Sequence, residues 1–500
     1  QARTAALIET PNGVLFTQTA AGLYIDGQFE AGSSHFESVD PSTGQAWARM
    51  PAASAADVDR AVCAAHRALT TPPWRGLNAS ARGRLLLRLA ELVARDAPLL
   101  AELETRDTGK IIRETRAQIG YVAEYYRYYA GLADKLEGRH LPVDKADMEA
   151  YTRREPLGVI AAIVPWNSQL FLAAVKAGPA LAAGCTVVLK ASEEGPAPLL
   201  AFARLVHEAG FPPGVFNVLT GHGEECGKAL TTHPRVDKVA FTGGPETARH
   251  IVRNTALNLA DTSLELGGKS PVLVFDDVDL DSACNSIVAG IFGASGQSCV
   301  AGSRLLVQRG IADRLLQALA DKAARIRIGL PNDPATEMGP LATRRQIAHI
   351  HRTVQASVEA GAHLVCGGHA PQGFGDQSHF YLPTILDCPH ADIPSVRTEF
   401  FGPVLSVLRF DTEAQALALA NDSAYGLASG VFTSSVARAH RLIRELRAGI
   451  VWVNTYRVVS PIVPFGGFGL SGLGREGGME AALAYTRTKS VWINMSDAPI

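Results

Sequence analysis

No stretch of about 18 uncharged apolar residues occurs in this sequence. Lys176 interrupts the nearest approach to one, so a membrane-spanning helix is not expected. An excess of charge is missing too: Lys+Arg is 47 and Asp+Glu 49, a formal net charge of −2, with no long basic run. Nothing in that balance invites nucleic acid or an anionic membrane as a partner. Cysteine is sparse, odd in number and scattered (Cys63, Cys185, Cys226, Cys284, Cys299, Cys366 and Cys388), and no Cys-x-x-Cys pair occurs. This argues against a disulfide framework or a zinc site, so no metal is expected, and a reducing, cytoplasmic setting fits. The first twenty residues lack the basic head and apolar run of a secretion signal. Internal repeats and low-complexity tracts are absent.

What remains is an ordinary globular composition, 47% hydrophobic and 19% charged, over 500 residues. Single cores stop growing at about 250–300 residues, so two large domains with a small appendage are expected. Alternation over Gly22–Gly27 and a turn at Asp40–Gly44 read as short strands and a hairpin. Ser54 is placed to cap a helix from Ala55, and Arg82–Leu100 repeats Leu and Ala at helical spacing. Strands and helices then alternate: strand Val159–Val164, helix Ala173–Ala183, strand Thr186–Leu189, helix Ala197–Glu208, strands Val215–Leu219 and Val239–Thr242. Wholly apolar strands in this rhythm predict a Rossmann-like, doubly wound parallel sheet. Pro271–Val274, Arg304–Val307 and the helix Ile311–Ile326 start a second α/β domain.

Two segments invite chemistry. In Phe292-Gly-Ala-Ser-Gly-Gln-Ser-Cys299-Val-Ala-Gly302 a cysteine sits among small residues that let a substrate approach the sulfur. An unperturbed thiol has a pKa of about 8.5 and needs activation. A buried structural cysteine is the other reading. In Leu264-Glu265-Leu-Gly-Gly-Lys269 an acid is wedged between leucines, where desolvation would raise its pKa toward that of a useful base. A solvated glutamate at a strand end is the plainer alternative.

With Pro165-Trp-Asn167, Phe241-Thr-Gly243, Glu399-Phe-Phe-Gly-Pro403, Pro464-Phe-Gly-Gly467 and Ser471-Gly-Leu-Gly-Arg-Glu476, these segments resemble the aldehyde dehydrogenase superfamily, in its order, from about Leu23 to Val491. The resemblance implies an NAD-binding domain of residues 1–125 and 150–262, a catalytic domain of 263–470, and small oligomerisation strands from 126–149 and 480–500. It further implies oxidation of an aldehyde to an acid through a Cys299 thiohemiacetal and thioester, the latter hydrolysed by water that Glu265 activates. Asn167 would supply an oxyanion-hole amide, and Lys176 and Glu476 match positions that resemble a proton relay, or equally a structural ion pair. NAD would lie along Ile163, Val164, Pro165, Trp166, Lys190, Glu193, Gly223, Phe241, Thr242, Gly243, Gly244, Leu266, Glu399 and Phe401. The carboxylate of Glu193 favours NAD over NADP. A homodimer or homotetramer is implied as well.

The sequence departs from the family in places. Ser168-Gln169 replaces a common Phe-Pro after the Asn, Gly244 stands for a common Ser, Ala248 for Gly and Gly469 for Lys. The implied substrate pocket (Ser168, Leu172, Val175, Gly293, Ser298, Val300, Arg457 and Val459) holds few large aromatics. A wide, polar tunnel is expected, with Arg457 facing a substrate carboxylate or simply solvent. A thiol esterase and a CoA-acylating enzyme are the alternatives. The absence of a His close to Cys299 weighs against the first, and the presence of Glu265 against the second.

Overall fold

The computed structural model describes residues 22–497, together with the backbone of 7–10 and 13–17. Four runs that are buried along their whole length, Val159–Ile163, Thr186–Ala191, Phe216–Thr220 and Lys238–Thr242, lie in one parallel sheet. In spatial order the sheet runs Gly472–Leu473, Asp261–Glu265, Lys238–Thr242, Val159–Ile163, Thr186–Ala191, Phe216–Thr220, Leu23–Ile25, Gln28–Glu30. The five central strands are parallel, and the outer pairings are antiparallel. Successive side chains of a strand face opposite ways. Accordingly Ile160 and Ala162 face the core on the side of the helix Gln169–Ala182, while Val159, Ala161 and Ile163 face the side of Ala55–Thr70. The sheet grows in both directions from Val159–Ile163. A crevice beyond the C-terminal strand ends at such a reversal is where open α/β sheets hold ligands.

A second sheet has the order His363–Cys366, Thr384–Asp387, Val404–Phe410, Arg304–Gln308, Pro271–Val274, Ala428–Phe432, Ile450–Val453. It is parallel except at its first pair. The expected fold class therefore holds: a doubly wound parallel sheet, a second α/β unit and a small third sheet. The helix expected from Ala173 begins earlier, at Gln169, because the Leu172 amide already donates to the Ser168 carbonyl at 2.9 Å.

The third sheet pairs Thr486–Asn494 with Met148–Pro156 along nine residues and adds His140–Leu141. It thus extends past residue 149. Residues 126–132 instead belong to the helix Ile112–Leu132, where Tyr126 and Tyr129 are buried in the first core. Gly472–Leu473 also returns to the first sheet. No helix among the described residues is long and apolar enough to cross a membrane.

The Ser54 cap is present as a reciprocal box. The Asp57 amide donates to Ser54 Oγ at 3.3 Å and the Ser54 amide to Asp57 Oδ2 at 2.9 Å. Ser54→Ala should lower stability by about 1 kcal/mol, read as an earlier urea midpoint with an unchanged slope; an unmoved midpoint would show that the box adds nothing.

Candidate active site

The site occupies the seam between the two large sheets. Asn167, Thr242 and Glu265 come at or just after the ends of strands of the first sheet, whereas Gly267, Cys299 and Glu399 come just before strands of the second. A cavity of about 1060 Å³ fills the seam and is lined by Trp166, Asn167, Thr242, Glu265, Cys299, Glu399 and Phe401, among others.

The turn carrying Cys299 follows the helix Leu280–Phe292. Ala294, Ser295 and Gly296 all have left-handed backbone, with φ of 53°, 55° and 73°. For the first two this is uncommon, and such strain persists when surrounding contacts over-determine it. Those contacts are present. The Ala294 amide donates to both Glu114 carboxylate oxygens at 2.9 and 3.1 Å, and Ser295 Oγ donates to the Gly339 carbonyl at 2.9 Å. The Ala342 amide donates to Gln297 Oε1 at 2.9 Å, and Asn167 Nδ2 to the Gln297 carbonyl at 3.1 Å. Asn167 is thereby tied to the nucleophile turn.

Electrostatics in the seam are set by burial. The Cys299 thiol is pushed up to about 12 by desolvation, then by the charges of Glu265 and Glu399, while Arg457 opposes them. Glu265 is held well above the usual carboxylate range by burial first and by Glu476 second, with Lys176 and Arg475 opposing. Both Glu265 oxygens are buried and have no protein hydrogen-bond partner among the described residues. Behind them the fully buried Lys176 donates to Glu476 and, at 2.6 Å, to Thr242 Oγ1. Glu399 accepts from the Gly268 amide at 3.1 Å, and burial pushes it up to about 7. A Cβ at Gly267 would stand 2.0 Å from Glu399 Oε2, so only glycine lets that carboxylate close on the loop.

Of the expected dinucleotide residues, Pro165, Trp166, Thr242, Gly243, Gly244, Leu266, Glu399 and Phe401 line the cavity. Gly244 opens the helix Pro245–Thr255, and nothing lies within 4 Å of where its Cβ would be, which leaves the helix N-terminus accessible to a phosphate. The Trp166 and Phe401 rings meet edge-on at 5.4 Å between centroids. Ile163, Val164 and Phe241 are buried behind this wall. Lys190 and Glu193 pair at 3.5 Å off the main cavity, and Gly223 also lies outside its lining. These features fit a dinucleotide.

On the substrate side Ser168, Leu172, Val175, Ser298, Val300, Arg457 and Val459 line the cavity, while Gly293 lies behind Arg457. Lys110, Glu114 and Gln118 also line it, as do the aromatics Tyr121, Tyr125, Phe171, Trp452 and Phe465, so the expectation of few large aromatics does not hold. Lys110 Nζ donates to Ser168 Oγ and to Gln118 Oε1, each at 2.9 Å, and pairs with the buried Glu104 at 3.4 Å. Their one sequence signal was polar residues recurring along a helix that otherwise buries its face.

Among the described residues, one cluster away from the seam has metal-ligand chemistry: Asp59, Cys63 and His233 bring ligand atoms within 4.8 Å of one another. The Arg235 amide donates to His233 Nδ1 at 3.1 Å, which keeps the proton on Nε2, facing Asp59. That tautomer opposes ligation through Nε2.

A doubly wound parallel sheet and an open helix start beside a large cavity fit a nicotinamide-dependent oxidoreductase. The chain belongs to the aldehyde dehydrogenase family, whose model matches residues 29–491. It is 63% identical over 479 residues to the (Z)-2-((N-methylformamido)methylene)-5-hydroxybutyrolactone dehydrogenase of Acinetobacter baylyi, covering 96% of this chain and 98% of that one. It is 42% identical over 496 residues to an aldehyde dehydrogenase of Aspergillus niger, covering 99% of each. The structure superposes with a TM-score of 0.94 on betaine aldehyde dehydrogenase from Staphylococcus aureus in complex with NAD+, at 36% identity and 96% of each chain.

A thiol raised to about 12 is almost wholly protonated at neutral pH. In the enzyme without cofactor, alkylation of Cys299 by iodoacetamide should therefore keep rising steeply beyond pH 9. A plateau below pH 8 would show a preformed thiolate.

Proposed function

We propose that the protein oxidises a polar aldehyde to its carboxylic acid with NAD+, with Cys299 as nucleophile, Glu265 as base and Asn167 as oxyanion donor. The observation that carries this reading is the convergence of those three groups on one cavity with Thr242–Gly244 and Glu399.

Cys299 loses its proton and its sulfur bonds to the aldehyde carbon, making a thiohemiacetal. The oxygen of that carbon, now bearing negative charge, is met by the second N–H of the Asn167 amide and by the Cys299 backbone amide. A donor of this kind contributes about 2.7–4 kcal/mol of transition-state stabilisation. Bound NAD+ supplies the acceptor for the hydride that the carbon gives up. Cys299 is left carrying a thioester. Glu265, once ionised, takes a proton from water as the water attacks the thioester, and the carboxylate product and free thiol separate. The balance is aldehyde, NAD+ and water in; carboxylate, NADH and two protons out. In this reading Lys176 and Glu476, whose charges act on Glu265, would take the proton onward from it. When bound, the cofactor would be held by Lys190 and Glu193 at its adenosine ribose, by Thr242–Gly244 at the pyrophosphate and by Glu399 at the nicotinamide ribose. The Glu193 carboxylate repels a 2′-phosphate, which favours NAD over NADP.

The Acinetobacter relative's substrate supports a polar aldehyde. A lactone with a hydroxyl on the carbon that bears the ring oxygen is the closed form of an aldehyde that also carries a carboxylate. A wall of Lys110, Gln118, Ser168 and Arg457 suits such a molecule better than an alkyl chain. The outer strand of the third sheet, Thr486–Asn494, exposes Trp492 and Ile493. This supports assembly into a homodimer or homotetramer, because an uncovered apolar edge invites a partner.

The test is absorbance of reduced nicotinamide on mixing enzyme, NAD+ and a panel of aldehydes, with and without coenzyme A. Glu265→Gln should keep a burst of about one NADH per site and lose about 10²–10⁴-fold in steady turnover. Because the Glu265 pKa is raised and the ionised form is the base, wild-type turnover should climb as pH rises through that elevated value and fall on its acid side. Turnover that requires coenzyme A, or that proceeds without NAD+, would overturn the hydrolytic reading.

A further inference from the structure

The substrate side of the cavity carries a cation that no acid neutralises. Arg457 lines the wall, and its hydrogen bond runs from Nη1 to the Ala289 carbonyl at 3.2 Å. Among the described residues no carboxylate pairs with it. Glu114 comes near the same spot, but both of its oxygens accept from the Ala294 amide. Arg457 also acts on the Cys299 sulfur, opposing the three carboxylates of Glu265, Glu399 and Glu476. The guanidinium thus stands within electrostatic reach of the reacting atom.

Two local features hold it there. Arg457 has φ of 64°, in the left-handed region that non-glycine residues seldom occupy. At Gly293 a Cβ would lie 2.4 Å from Arg457 Nη1, so any larger residue would displace the guanidinium. Strained backbone aims the side chain, and a missing side chain makes its seat. Structural strain of this kind clusters where a protein must fix a functional group. A planar guanidinium with free donors matches a carboxylate in two-pronged geometry.

We propose that Arg457, seated over Gly293, selects aldehydes that carry a carboxylate remote from the carbonyl, the ω-oxo acids. This rests on the reading of Cys299 as the nucleophile of aldehyde oxidation. Gly293 is then a positioning residue, acting through the arginine.

The experiment compares kcat/KM with NAD+ for 4-oxobutanoate, 5-oxopentanoate and 6-oxohexanoate against butanal, pentanal and hexanal. It uses wild type, Arg457→Met, Arg457→Lys and Gly293→Ala. Wild type should favour an acid over the alkanal of equal length. Arg457→Met should lower that ratio about 10–100-fold, the scale of a lost charged hydrogen bond, with the change in KM rather than kcat. Arg457→Lys should recover part of the ratio. Gly293→Ala keeps the arginine but takes its seat, so it should lower the ratio in the same direction, and it preserves the test if Arg457→Met does not fold. A ratio unmoved in both Arg457→Met and Gly293→Ala, or a wild type indifferent to the carboxylate, would overturn the proposal while leaving aldehyde oxidation intact. Absence of NADH from every aldehyde would instead sink the dehydrogenase reading and this proposal with it.

Discussion

Desolvation of ionisable groups in the seam between two sheets is the constraint on which the rest of this structure depends. Lys176 has no exposed surface, and an ammonium there is tolerable because Glu476 meets it. Breaking such a buried pair from one side typically costs about 3–5 kcal/mol. The pair in turn governs Glu265. The charge of Glu476 raises its pKa and that of Lys176 lowers it, on top of burial that dominates both. Glu265 is thereby held as a carboxyl that resists ionisation, which suits the role of base proposed for it. Burial raises Cys299 as well, which keeps it a thiol at neutral pH.

A dry seam must also hold its groups in position, and backbone strain marks where this is done. Ala294, Phe401 and Arg457, which line the cavity, and Ser295 and Asn454, next to lining residues, all adopt positive φ. Each such residue costs on the order of 1–3 kcal/mol. The opposing hydrogen bonds come from distant elements: Glu114 on one helix, Gly339 and Ala342 on a loop, and Asn167 after a strand of the other sheet. The nucleophile turn is consequently part of both large units, and their relative position is fixed by the same contacts that aim Cys299.

Much of this was legible in the sequence. Val159–Ile163 and its neighbours are apolar throughout because both faces are covered, and a strand of that kind announces itself without any partner being known. Cys299 and Glu265 stood out by their small or apolar neighbours, but only the ordered family motifs set them above a structural cysteine and a solvated glutamate, and Asn167 was legible through that resemblance alone. The reach of the third sheet was less so. Residues 126–132 are rich in tyrosine and were assigned to the oligomerisation strands through the resemblance alone, whereas Tyr126 and Tyr129 are buried in the first core. The early start of the helix at Gln169 was hidden because Ser168-Gln169 carries no apolar signal, although Gln169 itself is fully buried.

The substrate wall was the least legible part, and the reason is physical. Chemistry at the sulfur and the carboxyl depends on local segments whose composition is constrained by close approach. The wall is assembled from side chains far apart in the chain: Lys110 from the loop before the helix Ile112–Leu132, Glu114 and Gln118 from that helix, Ser168 from just before the helix at Gln169, and Arg457 from a loop almost 300 residues further on. No spacing rule connects them. A lysine such as Lys110 looks solvent-bound in sequence, yet it is 8% exposed and ties Ser168 to Gln118. Because these positions line the cavity away from Cys299 and Glu265, they can change without disturbing the burial of those two groups. A single family can therefore keep one chemistry while each member reads a different molecule, and the polar wall here is where this chain's own choice is written.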